Sequence, residues 1–135
     1  DVDQTFIVIL AGSSMNQMQE FYTDSFNLEK AVVMDSRIRA ISRVFDKPED
    51  TKYKSAAIAI KDQCLIEIDE LPDGSVIRSS EPGYLLPGIS MVSFLAYDNV
   101  FTDSLNYQCN LTHLKGKKCS IIHGNQQEII ELVHK

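Results

Sequence analysis

Two stretches of this chain, CLIEIDEL at 64–71 and EIIELVHK at 128–135, each set an apolar pair, a glutamate and a further apolar residue in the same order. Self-similarity of this kind is a weak internal repeat and points to two related modules. A strand turns successive side chains to opposite faces. In the first copy Cys64, Ile66 and Ile68 therefore share one face while Leu65, Glu67 and Asp69 share the other. In the second, Ile130 and Leu132 oppose Ile129, Glu131 and Val133. Both faces are partly apolar, so both ask for cover. A helix on one side and a cleft on the other would put each glutamate inside the cleft.

The surrounding pattern supplies the rest of a module. QTFIVILAG at 4–12 is rich in β-branched and aromatic residues and reads as a strand ending at Gly12. Ser14 and Gln17 then have capping-box spacing, and Met15, Met18, Tyr22 and Phe26 recur at helical intervals. Asn27 fits the helix end, because asparagine tolerates the left-handed conformation needed just past the last turn. Three strands are expected next, KAVVMDSRIRAISRVFD at 30–46, YKSAAIAIK at 53–61 and QCLIEIDEL at 63–71. In the first of these Arg37, Arg39 and Arg43 fall on one parity, either along a solvated strand edge or facing the cleft to neutralise a glutamate.

LPDGSVIRSSEPGYLLPG at 71–88 concentrates proline and glycine and reads as a connector. The second half opens with ISMVSFLAY, has a short helical candidate around NVFTDSLNY at 99–107, and closes with KCSIIHGN turning into QEIIELVHK at Gly124-Asn125. Its interval from Met91 to Glu131 is shorter than that from Gln4 to Glu67, so a brief helix and a missing or irregular strand are expected.

At 135 residues and 44% hydrophobic content the chain can bury one compact core. A net charge of -6 argues against binding nucleic acid phosphates or anionic membranes. No apolar run approaches the ~20 residues that cross a bilayer, and the first residues lack a basic signal-peptide region, so a cytoplasmic protein is expected. Three cysteines without a close pair indicate buried thiols, not a disulfide framework or zinc knuckle. No nucleophile elbow, dinucleotide fingerprint or phosphate-binding loop occurs.

EFYTDSFNLE at 20–29, LPGISMVSFLAYDN at 86–99 and HGNQQEIIELVHK at 123–135 together resemble the vicinal oxygen chelate superfamily, the glyoxalase, bleomycin-resistance and extradiol dioxygenase group. The resemblance covers most of the chain and is weakest between Val100 and Lys118. It implies an α+β fold in which two βαβββ modules form a cupped mixed sheet, the second shortened. Module one would span about 3–71, the connector about 72–87 and module two about 88–135.

Metal-dependent members of that superfamily place His, Gln or Glu on the first strand of each module and Glu on the last. By position this chain keeps Glu67 and Glu131. It puts Gln4, or with a shifted alignment Ile7, in the first slot and Met91, a soft thioether, in the second. His113, His123 and His134 fall outside these slots. The four positions Gln4, Glu67, Met91 and Glu131 thus read as a vestigial site without a metal cofactor.

The resulting expectation is a bleomycin-resistance-like protein that binds a small organic molecule. One parity from each strand predicts a pocket of Gln4, Phe6, Ala57, Ala59, Glu67, Met91, Ser93, Leu95, Glu131 and Val133. Its acidity would favour a cationic or hydrogen-bond-donating ligand. The alternatives are a metal-dependent lyase, isomerase or dioxygenase with Glu67 and Glu131 as divalent-metal ligands and catalytic groups, and a non-catalytic dimerisation module. A thin second module would leave apolar sheet open, which predicts a homodimer.

Overall fold

The computed structural model describes residues 6–61, 64–96, 109–112 and 118–134. The chain divides into two compact units, residues 1–24 with 28–76 and residues 25–27 with 77–135. In the first, strand β1 (Ile7–Gly12) leads into helix α1 (Met15–Phe26), followed by β2 (Met34–Arg37), a short helix α2 (Arg39–Val44), β3 (Lys52–Ile60) and β4 (Cys64–Glu70). The second contains β5 (Met91–Ala96), β6 (Cys109–Thr112), β7 (Lys118–His123) and β8 (Ile129–His134).

Each unit builds a four-stranded mixed sheet with the same topology. The orders are β1-β4-β3-β2 and β5-β8-β7-β6, with the first and last strands of each unit parallel and the other pairs antiparallel. The internal repeat in sequence is therefore a repeat in hydrogen bonding, with CLIEIDE and IIELVH as the central strands β4 and β8. The second module is shorter, as expected, yet it keeps all four strands. The expectation of a missing strand is corrected, and the homodimer loses the thin wall from which it was inferred. The helical candidate at 99–107 lies outside the described residues.

Alternation decides the core. Ile66 and Ile68 of β4 are fully buried beside Ala56 and Ile58 of β3, and Ile130 and Leu132 of β8 are buried beside Ile122 of β7 and Phe94 of β5. Burying one such side chain contributes about 1.5–3 kcal/mol. The helical stripe predicted for α1 is also real: Met15, Met18 and Tyr22 are at most 1% exposed.

The ends of both helices follow from local chemistry. Asn27 has φ 50° and Leu28 N–H donates to Thr23 O at 3.0 Å, a bond from two residues past the helix back to its last turn. Asp46 repeats this after α2, with φ 50° and Lys47 N–H donating to Ser42 O at 2.8 Å. At the start of α1, Gln17 N–H donates to Ser14 Oγ at 3.4 Å, a long contact. A stronger cap comes from elsewhere in the chain, because Met15 N–H donates to Glu70 Oε2 at 2.8 Å and the first turn has no acidic residue of its own. Glu70→Ala is therefore expected to lower stability by about 1 kcal/mol, the usual worth of an N-terminal cap, in urea denaturation. Its ion pair with Lys54 at 3.5 Å adds little, since the lysine is largely solvated.

The segment 30–46 departs from the expected single strand. Only Met34–Arg37 pairs with β3, and Arg39–Val44 forms α2. Ile38, Ile41 and Phe45 recur at helical spacing, and Ile41 and Ser42 are buried. Arg39 and Arg43 are one helical turn apart and both reach Glu49, at 3.9 and 3.2 Å, while Arg37 stays on the edge strand. None of these arginines pairs with Glu67 or Glu131 among the described contacts.

The closing hairpin turns where expected but by a different device. Gln127, with φ 65°, is its left-handed residue, and Gln127 N–H donates to Gly124 O at 3.0 Å. At Gly124 it is space that counts instead, because a Cβ there would overlap the carboxylate of buried Glu128 and that side chain would have to shift. That carboxylate accepts Gln126 N–H at 2.9 Å.

No helix among the described residues is long and apolar enough to cross a membrane.

Candidate functional site

In both units the glutamate lies on the sheet face opposite the core. Strand β4 runs between β1 and β3, so Glu67 has Ile9 on one side and Ala57 on the other. Strand β8 runs between β5 and β7, so Glu131 has Ser93 on one side and Ile121 on the other. Each face is an apolar floor with one carboxylate near its centre. Ile9 is 58% exposed and Met91 49%, so both faces are open to contact.

The predicted pocket residues on β3, β4, β5 and β8 stand on these faces as alternation required. Ala57 and Ala59 pair with Glu67 and Leu65, while Met91, Ser93 and Leu95 pair with Ile129, Glu131 and Val133. The first strand is different. Phe6 precedes β1 and belongs to the parity of Val8, which pairs with core residue Ile66, so it leaves the pocket set. Its place is taken by Ile7, Ile9 and Ala11. Gln4 and His113 lie outside the described residues. The physical reason for the error is that IVIL is apolar on both parities, so only pairing with β4 chooses the face.

Four features of the site escaped sequence reasoning. Asp69, which alternation had set on the face of Glu67, is only 3% exposed, in a row with Ser55 and Ala11. Its place on the face was legible in the sequence, its burial was not. Helix α2 meets strand β3 at Tyr53, where buried Ser42 Oγ lies 3.0 Å from Tyr53 Oη. Ile121 flanks Glu131, visible only once β7 and β8 are in register. In the second unit the connector lies over the row Ile129–His123, enclosing with Tyr84, Leu85, Leu86 and Gln127 a hollow of about 320 Å³. Arg78 pins this connector by donating to Pro87 O and Ile89 O, both at 3.0 Å.

The two glutamates differ in electrostatics. Burial pushes the Glu67 carboxyl above its ordinary value, and the nearby charge of Asp69 pushes it further. Burial also raises Asp69, opposed by a hydrogen bond from Ser55. Glu131 accepts a 2.6 Å hydrogen bond from Ser93 Oγ on Oε2, a short charge-assisted contact that holds the carboxylate against β5. Cys64, on the opposite parity from Glu67, has its thiol raised by burial, which disfavours the reactive thiolate.

Among the described residues, the side chains beside each glutamate do not make a set of ligands for a divalent cation. A hard ion asks for several oxygen or imidazole ligands around one point. Glu67 is flanked by Ile9 and Ala57, and Glu131 by Ser93 and Ile121. No group of three His, Cys, Asp or Glu side chains converges among the described residues.

No family model and no curated protein matches the sequence. Solved structures match it over almost its whole length. A glyoxylase/bleomycin resistance protein/dioxygenase domain from Frankia sp. EAN1pec is similar over 99% of this chain and 98% of its own, with a TM-score of 0.71 and 13% identity. A glyoxalase family protein from Bacillus cereus is similar over 99% and 95%, with a TM-score of 0.67 and 14% identity. A mutant of the fosfomycin resistance protein FosX from Listeria monocytogenes, complexed with Mn(II) and a dihydroxypropylphosphonic acid, is similar over 98% and 93%, with a TM-score of 0.59 and 13% identity. At such identities the likeness speaks for the fold. The chain has the two-module α+β fold of the glyoxalase and bleomycin-resistance structures, the vicinal oxygen chelate fold.

Proposed function

We propose that this protein binds a small organic molecule on the open sheet faces that carry Glu67 and Glu131, and that it does so without a catalytic metal. The observation that carries this reading is the register across each glutamate. Its strand neighbours are Ile9 and Ala57 in one unit, and Ser93 and Ile121 in the other. These side chains supply apolar contact and a single hydroxyl, which suits ligand binding by shape with a few polar anchors. Ser93 already engages Glu131, so that carboxylate is oriented as a hydrogen-bond acceptor.

The test has two parts. Elemental analysis after incubation with zinc, nickel, manganese and iron is expected to find substoichiometric metal, unchanged by Glu67→Gln. Stoichiometric metal lost in that variant would instead establish a metal-dependent lyase, isomerase or dioxygenase. A thermal-shift screen of small molecules is expected to find stabilising ligands, since a ligand at a hundred times its Kd adds about 2.7 kcal/mol. Silence across a broad screen would favour the non-catalytic dimerisation module. We also expect a homodimer, now on the ground that Ile9, Met91 and Leu95 are exposed on the sheet faces. Light scattering that reports a monomer at tens of micromolar would contradict that assembly.

A further inference from the structure

Asp69 is a carboxylate that the described residues satisfy only in part. It lies two residues from Glu67 on the same face of β4, and it is buried. Ser55 donates to it, yet Oδ1 has no hydrogen-bond partner among the described residues. Nor does either acid pair with a cation there: Lys54 reaches Glu70, and Arg39 and Arg43 reach Glu49. A buried acceptor without a donor is costly enough that native proteins rarely leave one, unless an ion, a water or a ligand completes it.

We propose that Glu67 and Asp69 bind the ammonium group of an organic amine, whose carbon skeleton rests on Ile9, Ala57 and Ala59. The proposal rests on the ligand-binding reading above and gives it a ligand class. Two residues of strand span about 7 Å. A single ammonium making N–H···O bonds of about 2.8 Å to each carboxylate bridges most of that span, and the longer Glu67 side chain closes the remainder. The third N–H faces out of the pair.

Chemistry selects an amine over the other cations. A hard divalent ion would find two carboxylates and the Ser55 hydroxyl as its only protein oxygens there among the described strand neighbours, since Ile9, Ala11 and Ala57 flank them. An ammonium needs no more than three acceptors, and its apolar substituent suits an apolar floor. The electrostatics agree with the geometry. Each acid is raised by burial and Glu67 further by Asp69, so a monovalent cation between them relieves both effects.

The experiment uses the full chain, labelled with nitrogen-15 and titrated with phenethylamine, with 2-phenylethanol as its uncharged counterpart. The amine is expected to shift the amide signals of Ala57, Glu67 and Asp69 saturably, with the alcohol about tenfold weaker or more. Glu67→Gln and Asp69→Asn should each weaken the amine by about tenfold and leave the alcohol unchanged. Asp69→Asn removes a buried charge, so its fold is not at risk, and its spectrum checks this directly.

Equal affinity for amine and alcohol would overturn the proposal, as would an Asp69→Asn protein that binds the amine normally. Shifts centred on Ser93 and Glu131 would also overturn it while leaving the ligand-binding function standing. Displacement of the amine by stoichiometric magnesium, calcium or zinc would overturn both. Absence of any shift on either face at millimolar probe would overturn the amine site. The broader function would then rest on the thermal-shift screen alone.

Discussion

Ile66→Ala is expected to cost about 2–5 kcal/mol of unfolding free energy, a large share of the roughly 5–15 kcal/mol that holds a domain folded. Ile66 is fully buried at the middle of β4, with Val8 of β1 and Ile58 of β3 as its register neighbours. Removing its side-chain carbons forfeits their transfer from water and leaves a void that strands on both sides restrain from collapsing. The same change at Ile130, equally buried between Val92 and Ile122, should cost a similar amount. Chemical denaturation is the measurement, read as a shift of the midpoint with an unchanged slope. A loss under about 0.5 kcal/mol, the range of ordinary surface changes, would mean that β4 does not carry the core.

Asp69→Asn is expected to do the opposite, raising stability at neutral pH, because the amide carries no charge to be desolvated where Asp69 is buried. The sign follows from the direction of the shift. Burial holds the folded-state pKa of Asp69 above its unfolded value, so between those two values the folded protein binds more protons. Wild-type stability must then fall as pH rises through the ordinary carboxylate range up to the folded pKa. Asparagine does not titrate, so the variant should lose this slope, and its advantage should vanish in acid, where Asp69 is protonated in both states. Denaturation at a series of pH values checks this. Carbon-13 titration of Glu67 in the variant should show its pKa lowered, because the charge of Asp69 contributes to raising it. A variant less stable than wild type at pH 7 would mean that Asp69 is satisfied within the fold.

These two changes separate architecture from function. Ile66 is expected to serve packing, whereas Asp69 is expected to cost stability while remaining in place. Retaining a destabilising group is the pattern expected of a binding site, where ligand completes what the fold leaves open. If the amine site is correct, Asp69→Asn exchanges binding for stability.

Much of the fold was legible because hydrophobic period and local chemistry agree. The stripe Met15, Met18, Tyr22 appears at helical spacing and is buried as one face. Asn27 ends the helix as its tolerance of positive φ predicts. Segment 30–46 misled because β-branched and charged residues alternate there plausibly for a strand. The helical spacing of Ile38, Ile41 and Phe45 is an equally good reading of the same residues, and burial of Ile41 and Ser42 decided between them. At Gly124-Asn125 the residue types marked the turn, but the left-handed residue is Gln127, and a Cβ at Gly124 would meet the buried Glu128 carboxylate.

By itself the sequence determined the doubled module and the parity of Glu67 and Glu131 on their strands, because alternation and residue type are local properties. Only the tertiary structure decided which residues stand beside each glutamate. Strand β1 is apolar on both parities, so nothing within it distinguishes Phe6 from Ile9. Hydrogen-bond register with β4 makes that choice and sets Ile9 against Glu67. The burial of Asp69 was likewise beyond local reading, since it depends on what packs around the side chain in three dimensions and not on its place in the strand.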